Sequence, residues 1–330
     1  MVRIEAGAAV LFSRGTSLRT LPSEDPEKLR THPCGKIIEL VDTVCFVKQN
    51  PTIDWVILTL GDRESELAAA VESVGSSHTG DVVIVANTPV RIATPSTSSR
   101  VVMAGENLGV PRGRDVGLGA TSAEIVGFLD DDATLEKGVS ESLAAAFAMS
   151  PEVGVVAFRV VDENGVTARR HVPWRGHSGA EESRLAASFL GGACAIRREA
   201  YEAVGGYFTE LMYGHEEVEL AWRLIDSGWK IQYRADLVVR HPRTEISRHV
   251  DGWRLTGRNR VLIARRTLPA TLGLCHVLVW LAVGLVRAPN GCRSGYLAGW
   301  LSGWKTPITR KPISWRTVWR LGRFGRFPVV

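Results

Sequence analysis

The 330-residue chain is 45% hydrophobic, enough to bury a full core, and reads as one large α/β domain with appendages. Its five cysteines, Cys34, Cys45, Cys194, Cys275 and Cys292, form no CxxC pair, which excludes a zinc-ribbon or disulfide scaffold and fits a reducing cytosol. The net charge of +5 hides an asymmetry: residues 252–330 carry fourteen Lys and Arg and no acid, leaving 26 basic and 35 acidic side chains in residues 1–251. An acidic globule with a basic, tryptophan-rich tail is not the uniformly basic footprint of a nucleic-acid binder.

In chain order, residues 1–50 read as short strands, "GAAVLFS" and "KIIELVDTVCFVK", around a charged, proline-containing loop, which predicts a small N-terminal β module. The first apolar run is too short for a signal-peptide core. From Asp54 the pattern becomes "WVILTL", the helix "ESELAAAVESV", "DVVIVAN", a Pro/Ser/Thr loop, "RVVMAG", a helix near "RGRDVGLGAT", and "EIVGFL". Apolar strands alternating with helices predict a parallel sheet covered on both faces. The chain thus divides into a module over 1–50, a catalytic-type domain over 51–250 and a basic helical tail over 251–330.

The triplet Asp130, Asp131, Asp132 follows the strand "EIVGFL", and ligands of open parallel sheets bind beyond the carboxyl ends of the strands. In extended backbone residues i and i+2 project to one side, so Asp130 and Asp132 converge while Asp131 points away. Two carboxylates suit Mg²⁺ or Mn²⁺ on a diphosphate; a solvated acidic turn is the competing account. Further on, Val218, Ala221, Trp222 and Ile225 in "YGHEEVELAWRLIDSG" mark one apolar helix face, with Glu216, Glu219, Arg223 and Asp226 on the opposite one. Glu217 sits at the edge of the buried face in the first turn, where the helix dipole lowers and burial raises its pKa. His241 ends the strand-like "ADLVVR" before a proline, a position where a histidine is either a hydrogen-bonded structural residue or a ligand.

Residues 162–183 read as a mobile loop with His171, Trp174, Arg175 and His177 as candidate binding residues. Between Arg266 and Arg287 twenty residues carry no charge. With Pro269, Gly273, His276 and flanking arginines, they predict an in-plane or re-entrant helix on the cytoplasmic face of a membrane. The Trp/Arg-rich segment after it reads as an anionic-lipid-binding appendage. A helical subdomain buried on the core or in a homo-oligomer interface is the alternative.

With "FLDDDA", "GGACAIRREAYEAVGGY", "HEEVELAWRL" and "VVRHP" in this order, and "ENLGVPRGRDVGL" ahead of them, the chain resembles family-two inverting glycosyltransferases of the GT-A fold, the rhamnosyl- and galactofuranosyl-type among them. The resemblance runs from about Trp55 to Arg266. It implies an α/β fold with a mixed, mostly parallel sheet flanked by helices, a nucleotide-diphosphate sugar as donor, a glycan or lipid-linked acceptor, and no nucleic acid. Donor contacts would come from Thr59, Gly61, Asp62, Asn87, Asn107, Arg114, Asp130 and Asp131, and acceptor contacts from Gly191, Gly192, Glu216 and Trp174. Asp130, Asp132 and His241 would hold Mn²⁺ or Mg²⁺, and Glu217 would deprotonate the acceptor hydroxyl. The chain departs from the family pattern with Ala86 and Asn87 where a base-contacting aspartate is usual, with "TLGD" for Pro-Thr-Tyr, and with Glu217 for aspartate. A nucleotidyltransferase shares the sheet and the acidic ligands, although "LTLGDRESE" is a poor triphosphate loop; a catalytically inactive, membrane-associated relative is a further reading.

Overall fold

A computed structural model describes residues 51–75, 80–96, 98–175, 179–243 and 251–329, which fall within a single unit, Lys48–Val330. The module expected over residues 1–50 and His177 of the 162–183 loop lie outside the described residues.

The first half is built as the alternation predicts: β1 (Ile53–Thr59), α1 (Glu64–Gly75), β2 (Val82–Ala86), β3 (Ser99–Met103), α2 (Val110–Gly119) and β4 (Ile125–Asp130). The four strands lie in the order β3-β2-β1-β4, all parallel. Side chains alternate across β1: Val56 faces one apolar core, while Trp55 and Ile57 face another beneath α1. Trp55 pairs with Gly127 of β4, where any Cβ would run into its indole. The start of β1 is fixed by buried Asp54, whose carboxylate accepts from the backbone N–H groups of Asp81, Ser122 and Ala123 at 2.8, 2.8 and 2.9 Å. Helix α2 lies close on β1 because Gly113 and Gly117 face Leu58 and Val56 with no room for a side chain.

The chain leaves β1 toward β2 and β3 on one side and returns to β4 on the other. This reversal opens a crevice at the carboxyl ends of β1 and β4, where parallel sheets bind ligands.

The second half comprises β5 (Thr134–Leu135), α3 (Val139–Met149), β6 (Val153–Val161), β7 (Arg184–Leu185), β8 (Ala193–Arg197), α4 (Arg198–Ala203), α5 (Glu216–Asp226) and β9 (Lys230–Arg240). The sheet continues β4-β8-β6-β9-β5, with β8 antiparallel to both β4 and β6, so it is mixed. Four helices follow: α6 (Gly252–Thr267), α7 (Ala270–Arg287), α8 (Arg293–Lys305) and α9 (Trp315–Arg323). Helices α6 and α8 approach closely because Cβ atoms at Gly257, Gly299 and Gly303 would meet the facing backbone, the small-residue packing common between membrane helices.

On the face of α5 opposite its apolar stripe, Glu216, Glu219 and Arg223 are buried, contrary to the pattern of its charges, and Asp226 alone of the four is exposed. Glu219 is fully buried and accepts from Arg223, from Arg266 Nε at 3.1 Å and from Thr267 Oγ1 at 3.0 Å. Asp226 accepts from Ser314 and Thr317 at the start of α9. The C-terminal helices therefore complete the core rather than trail from it, and a carboxylate buried there holds because two guanidiniums neutralise it.

Candidate active site

Asp130 closes β4, and its backbone N–H donates to Gly192 O of the neighbouring segment at 3.1 Å. One oxygen or nitrogen from each of Asp130, Asp132 and His241 lies within 4.8 Å of the others, so the strand-end aspartates and the late histidine converge. His241 Nε2 stands 3.1 Å from Asp132 Oδ1 and 3.9 Å from Asp130 Oδ2. The Nδ1 of His241 is 2.7 Å from Pro242 O; a carbonyl only accepts, so Nδ1 carries a proton, and Nε2 faces the carboxylates, donating to them when the ring is charged and offering its lone pair to a cation when it is neutral. Burial works against a charged His241, but the hydrogen bond and charge of Asp132, with Asp130 behind it, outweigh burial and raise its pKa. Two carboxylates and one neutral imidazole in this arrangement fit Mn²⁺ or Mg²⁺.

Asp131 points elsewhere, as extended backbone requires. It accepts from Thr59 Oγ1 at 2.7 Å and from Arg63 at 3.2 Å, and burial pushes its pKa up to about 6. Arg63 also pairs with Asp132. This arginine holds two of the three aspartates, yet "TLGDRES" gives no hint of it, because its partners lie 68 and 69 residues away.

The glycines of "GGACAI" serve space rather than contact. A Cβ at Gly192 would run into the Asp130 carboxylate and one at Gly191 into the Arg114 guanidinium. Arg114 is buried between two acids, 3.4 Å from Asp130 Oδ1 and 3.1 Å from Glu216 Oε1. Glu216 is 5% exposed and committed to Arg114. Glu217, the next residue, has its pKa pushed up to about 8, first by burial and then by the charge of Glu216. The buried thiol of Cys194 feels the charges of Arg114, Asp130 and Glu217. Arg114 thus bridges Asp130 of the aspartate cluster and Glu216, the neighbour of Glu217.

The turn that aims Glu217 is held from the tail. Gly214 and His215 both take left-handed φ values, 80° and 72°. Asn259 of α6, fully buried, reaches Leu211 O, Tyr213 O and Gly214 O at 2.8, 2.8 and 2.9 Å. Nothing in "RNRVLI" singled Asn259 out.

The remaining candidates have other surroundings. Asn87 is buried; its carbonyl accepts from Leu108 N and its amide reaches Asn107 Oδ1 and Gly109 O, so it braces the loop before α2. Asn107 accepts from Gly109 N as well. Gly61 turns with φ 79° and donates to Thr59 Oγ1, and Asp62 is exposed beside it. A groove of about 190 Å³ adjoins Gly61, lined also by Leu67, Ile92 and Pro95. Trp174 is 6% exposed, edge-on to Tyr233 at 5.1 Å under the guanidinium of Arg184, so it anchors its loop. That loop, expected to be mobile, is tied down at Ala180 O by the Tyr233 hydroxyl and at Arg175 N by Gly325 O. His171 lies 6.2 Å, centroid to centroid, from His241, and burial lowers its pKa to about 4.

A mixed sheet with a crevice at β1/β4, strand-end aspartates and a facing helix start defines a nucleotide-sugar-transferase architecture of the GT-A type. Residues 55–205 match the model of the glycosyl transferase family 2. The pre-mycofactocin glycosyltransferase of Mycobacterium tuberculosis is 30% identical over 193 residues, covering 52% of this chain and 39% of that protein. The chain therefore spans about two fifths of the length of the curated relatives it matches. Among solved structures, GalNAc-T7 with UDP, GalNAc and Mn²⁺ superposes with a TM-score of 0.56 at 13% identity, covering 78% of this chain and 56% of that one. TarS residues 1–349 of S. aureus gives 0.51 at 14% identity, covering 76% and 80%. Both likenesses are of fold.

Proposed function

We propose that the chain is an inverting glycosyltransferase that moves a sugar from a nucleoside diphosphate to a hydroxyl of a glycan or lipid-linked acceptor. The observation that carries this reading is the continuous run Asp132, Asp130, Arg114, Glu216, Glu217, which joins a cation-binding trio to a carboxyl of raised pKa. Asp130, Asp132 and His241 would hold the divalent cation, which supplies positive charge to the departing diphosphate. The Mn²⁺ and UDP in the GalNAc-T7 complex are in keeping with that assignment. Asp131, fixed by Thr59 and Arg63, is directed to the donor ribose, and the groove beside Gly61 suits the base.

Glu217 accepts the proton of the acceptor hydroxyl as its oxygen attacks the anomeric carbon from the face opposite the leaving group. The carbon–phosphate-oxygen bond breaks and its electron pair leaves with the nucleoside diphosphate, inverting the centre. Arg114 pairs with Oε1 of Glu216 and with Asp130, and Glu217, its pKa raised by burial and by Glu216, is the carboxyl that takes the proton. Within the chain, residues 51–250 form the catalytic part and 251–330 a basic extension.

We also assign the extension to an anionic membrane surface on the cytoplasmic side. Leu274, Leu278 and Val286 of α7, Leu297, Leu301 and Trp304 of α8, and Trp315 and Trp319 of α9 are exposed. They lie on a segment with fourteen cationic and no anionic side chains. Helix α7 is long and apolar enough to cross a bilayer, with 28% of it buried.

Replacing Glu217 by Gln should lower sugar transfer by about 10²–10⁴ with donor binding kept. Transfer above about a tenth of wild type would remove Glu217 from the mechanism. Asp132→Ala should abolish Mn²⁺-dependent nucleoside diphosphate binding in calorimetry.

A further inference from the structure

Near Glu217 stand cations that form no ion pair among the described residues. Arg260 of α6 lies flat on the indole of Trp280, its guanidinium carbon 3.5 Å from the ring centroid. Its Nε is buried and donates to no described group, and the Nε1 of Trp280 is likewise buried without a partner. Arg326, just past α9, is held by Ser188 Oγ at 3.1 Å, and its own turn is closed by Leu321 O. The residue before it, Gly325, accepts from Arg175 N at 3.0 Å. His276, fixed by Pro328 O at 2.6 Å, packs 6.2 Å from Trp280.

Arg260 feels the charges of Arg326 and Glu217, and Arg326 those of Glu217 and Arg175. Burial first and Arg326 second depress Arg260 to about 9. Glu217 is the carboxylate that bears on both arginines. Once Glu217 accepts a proton it is neutral, and the guanidiniums lose that counter-charge as well. Buried guanidiniums without an anion are costly, and their planar forks match phosphoryl oxygens. The exposed apolar side chains of the extension belong to α7, α8 and α9; α7 and α8 pack on α6, the helix of Arg260, and α9 directly precedes Arg326.

We infer that Arg260 and Arg326, with Arg175 at the rim, form a phosphoryl-binding subsite beside Glu217 for an acceptor that carries a phosphate or diphosphate on a lipid chain. The inference rests on the glycosyltransferase reading and specifies its acceptor. Orphan Arg260 Nε donates to the phosphoryl group, and the acceptor hydroxyl extends from that anchor to Glu217.

The test is calorimetric titration of the full chain with geranyl diphosphate in EDTA, which keeps diphosphate from binding through a cation on Asp130 and Asp132. Wild type should bind, Arg260→Gln and Arg326→Gln should each weaken binding by about tenfold or more, Arg326→Lys should restore part of it, and Asp132→Asn should match wild type. No binding by wild type, unchanged affinity in both Gln variants, or loss in Asp132→Asn would overturn the subsite. So would dioctanoyl phosphatidylglycerol binding as tightly as geranyl diphosphate, which would make the cluster a headgroup surface. Nucleoside diphosphate binding with Mn²⁺, measured on the same proteins, reports on folding and on the donor reading separately. If wild type lacks it, the glycosyltransferase reading falls whatever geranyl diphosphate does; if a Gln variant lacks it, the Arg326→Lys comparison decides.

Discussion

Gly192 shows how one missing atom shapes the site. It lies opposite Asp130 on the adjacent segment, and the carboxylate occupies the volume where a β-carbon would stand. Gly192→Ala should turn Asp130 away and weaken Mn²⁺-dependent nucleotide binding by about 10–100-fold, the usual effect of disturbing a ligand's support; unchanged calorimetric affinity would contradict the geometry. Glu217 gives a pH prediction. Its pKa is raised to about 8, and only the ionised form accepts a proton, so kcat/KM should climb as pH rises and level off above about 8. A profile flat between about pH 6 and 9 would show that another group limits the reaction. Asp130 and Asp132 stand out in the sequence because an apolar strand runs into them, whereas Glu217 and His241 take their expected roles from the family resemblance. Arg63 and Arg114 could not be ranked so, since a guanidinium reaches partners that local pattern does not name.

Among elements, α6 does more than cover α5. Asn259 satisfies three carbonyls of the turn that launches Glu217. Asn259→Ala would leave them buried, at a cost of about 1–3 kcal/mol. The variant should show a lower urea midpoint and reduced kcat, with nucleotide affinity in Mn²⁺ intact; equal loss of nucleotide binding would mean general unfolding instead. The strands and helices of the first half follow from hydrophobic period alone. The direction of β8 does not, because "ACAI" is apolar on both faces and reads alike either way. The burial of Glu219 was equally hidden: an i, i+4 pair with Arg223 looks like a surface pair until Arg266 and Thr267 close over it.

For the whole molecule, charge and apolar surface are sorted together. The basic stretch from Gly252 onward exposes Trp304, Trp315 and Trp319 among its cations. Flotation with phosphatidylglycerol vesicles should carry the protein upward, phosphatidylcholine vesicles should not, and raising salt should release it, since interfacial charge is screened beyond about 10 Å at 0.1 M. Trp315→Ala with Trp319→Ala should lower the bound fraction; equal partition onto neutral vesicles would refute an electrostatic attachment.

The pairing of Gly325 with Arg175 means that the far wall of the pocket is contributed by some of the last described residues of the chain. During synthesis the sheet and its carboxylates can assemble long before that wall exists. Under the proposed function, a message cut short ahead of codon 325 should remove Arg326 and the tie to Arg175 while sparing Asp130, Asp132 and Glu217, giving a product that holds donor without capturing its acceptor.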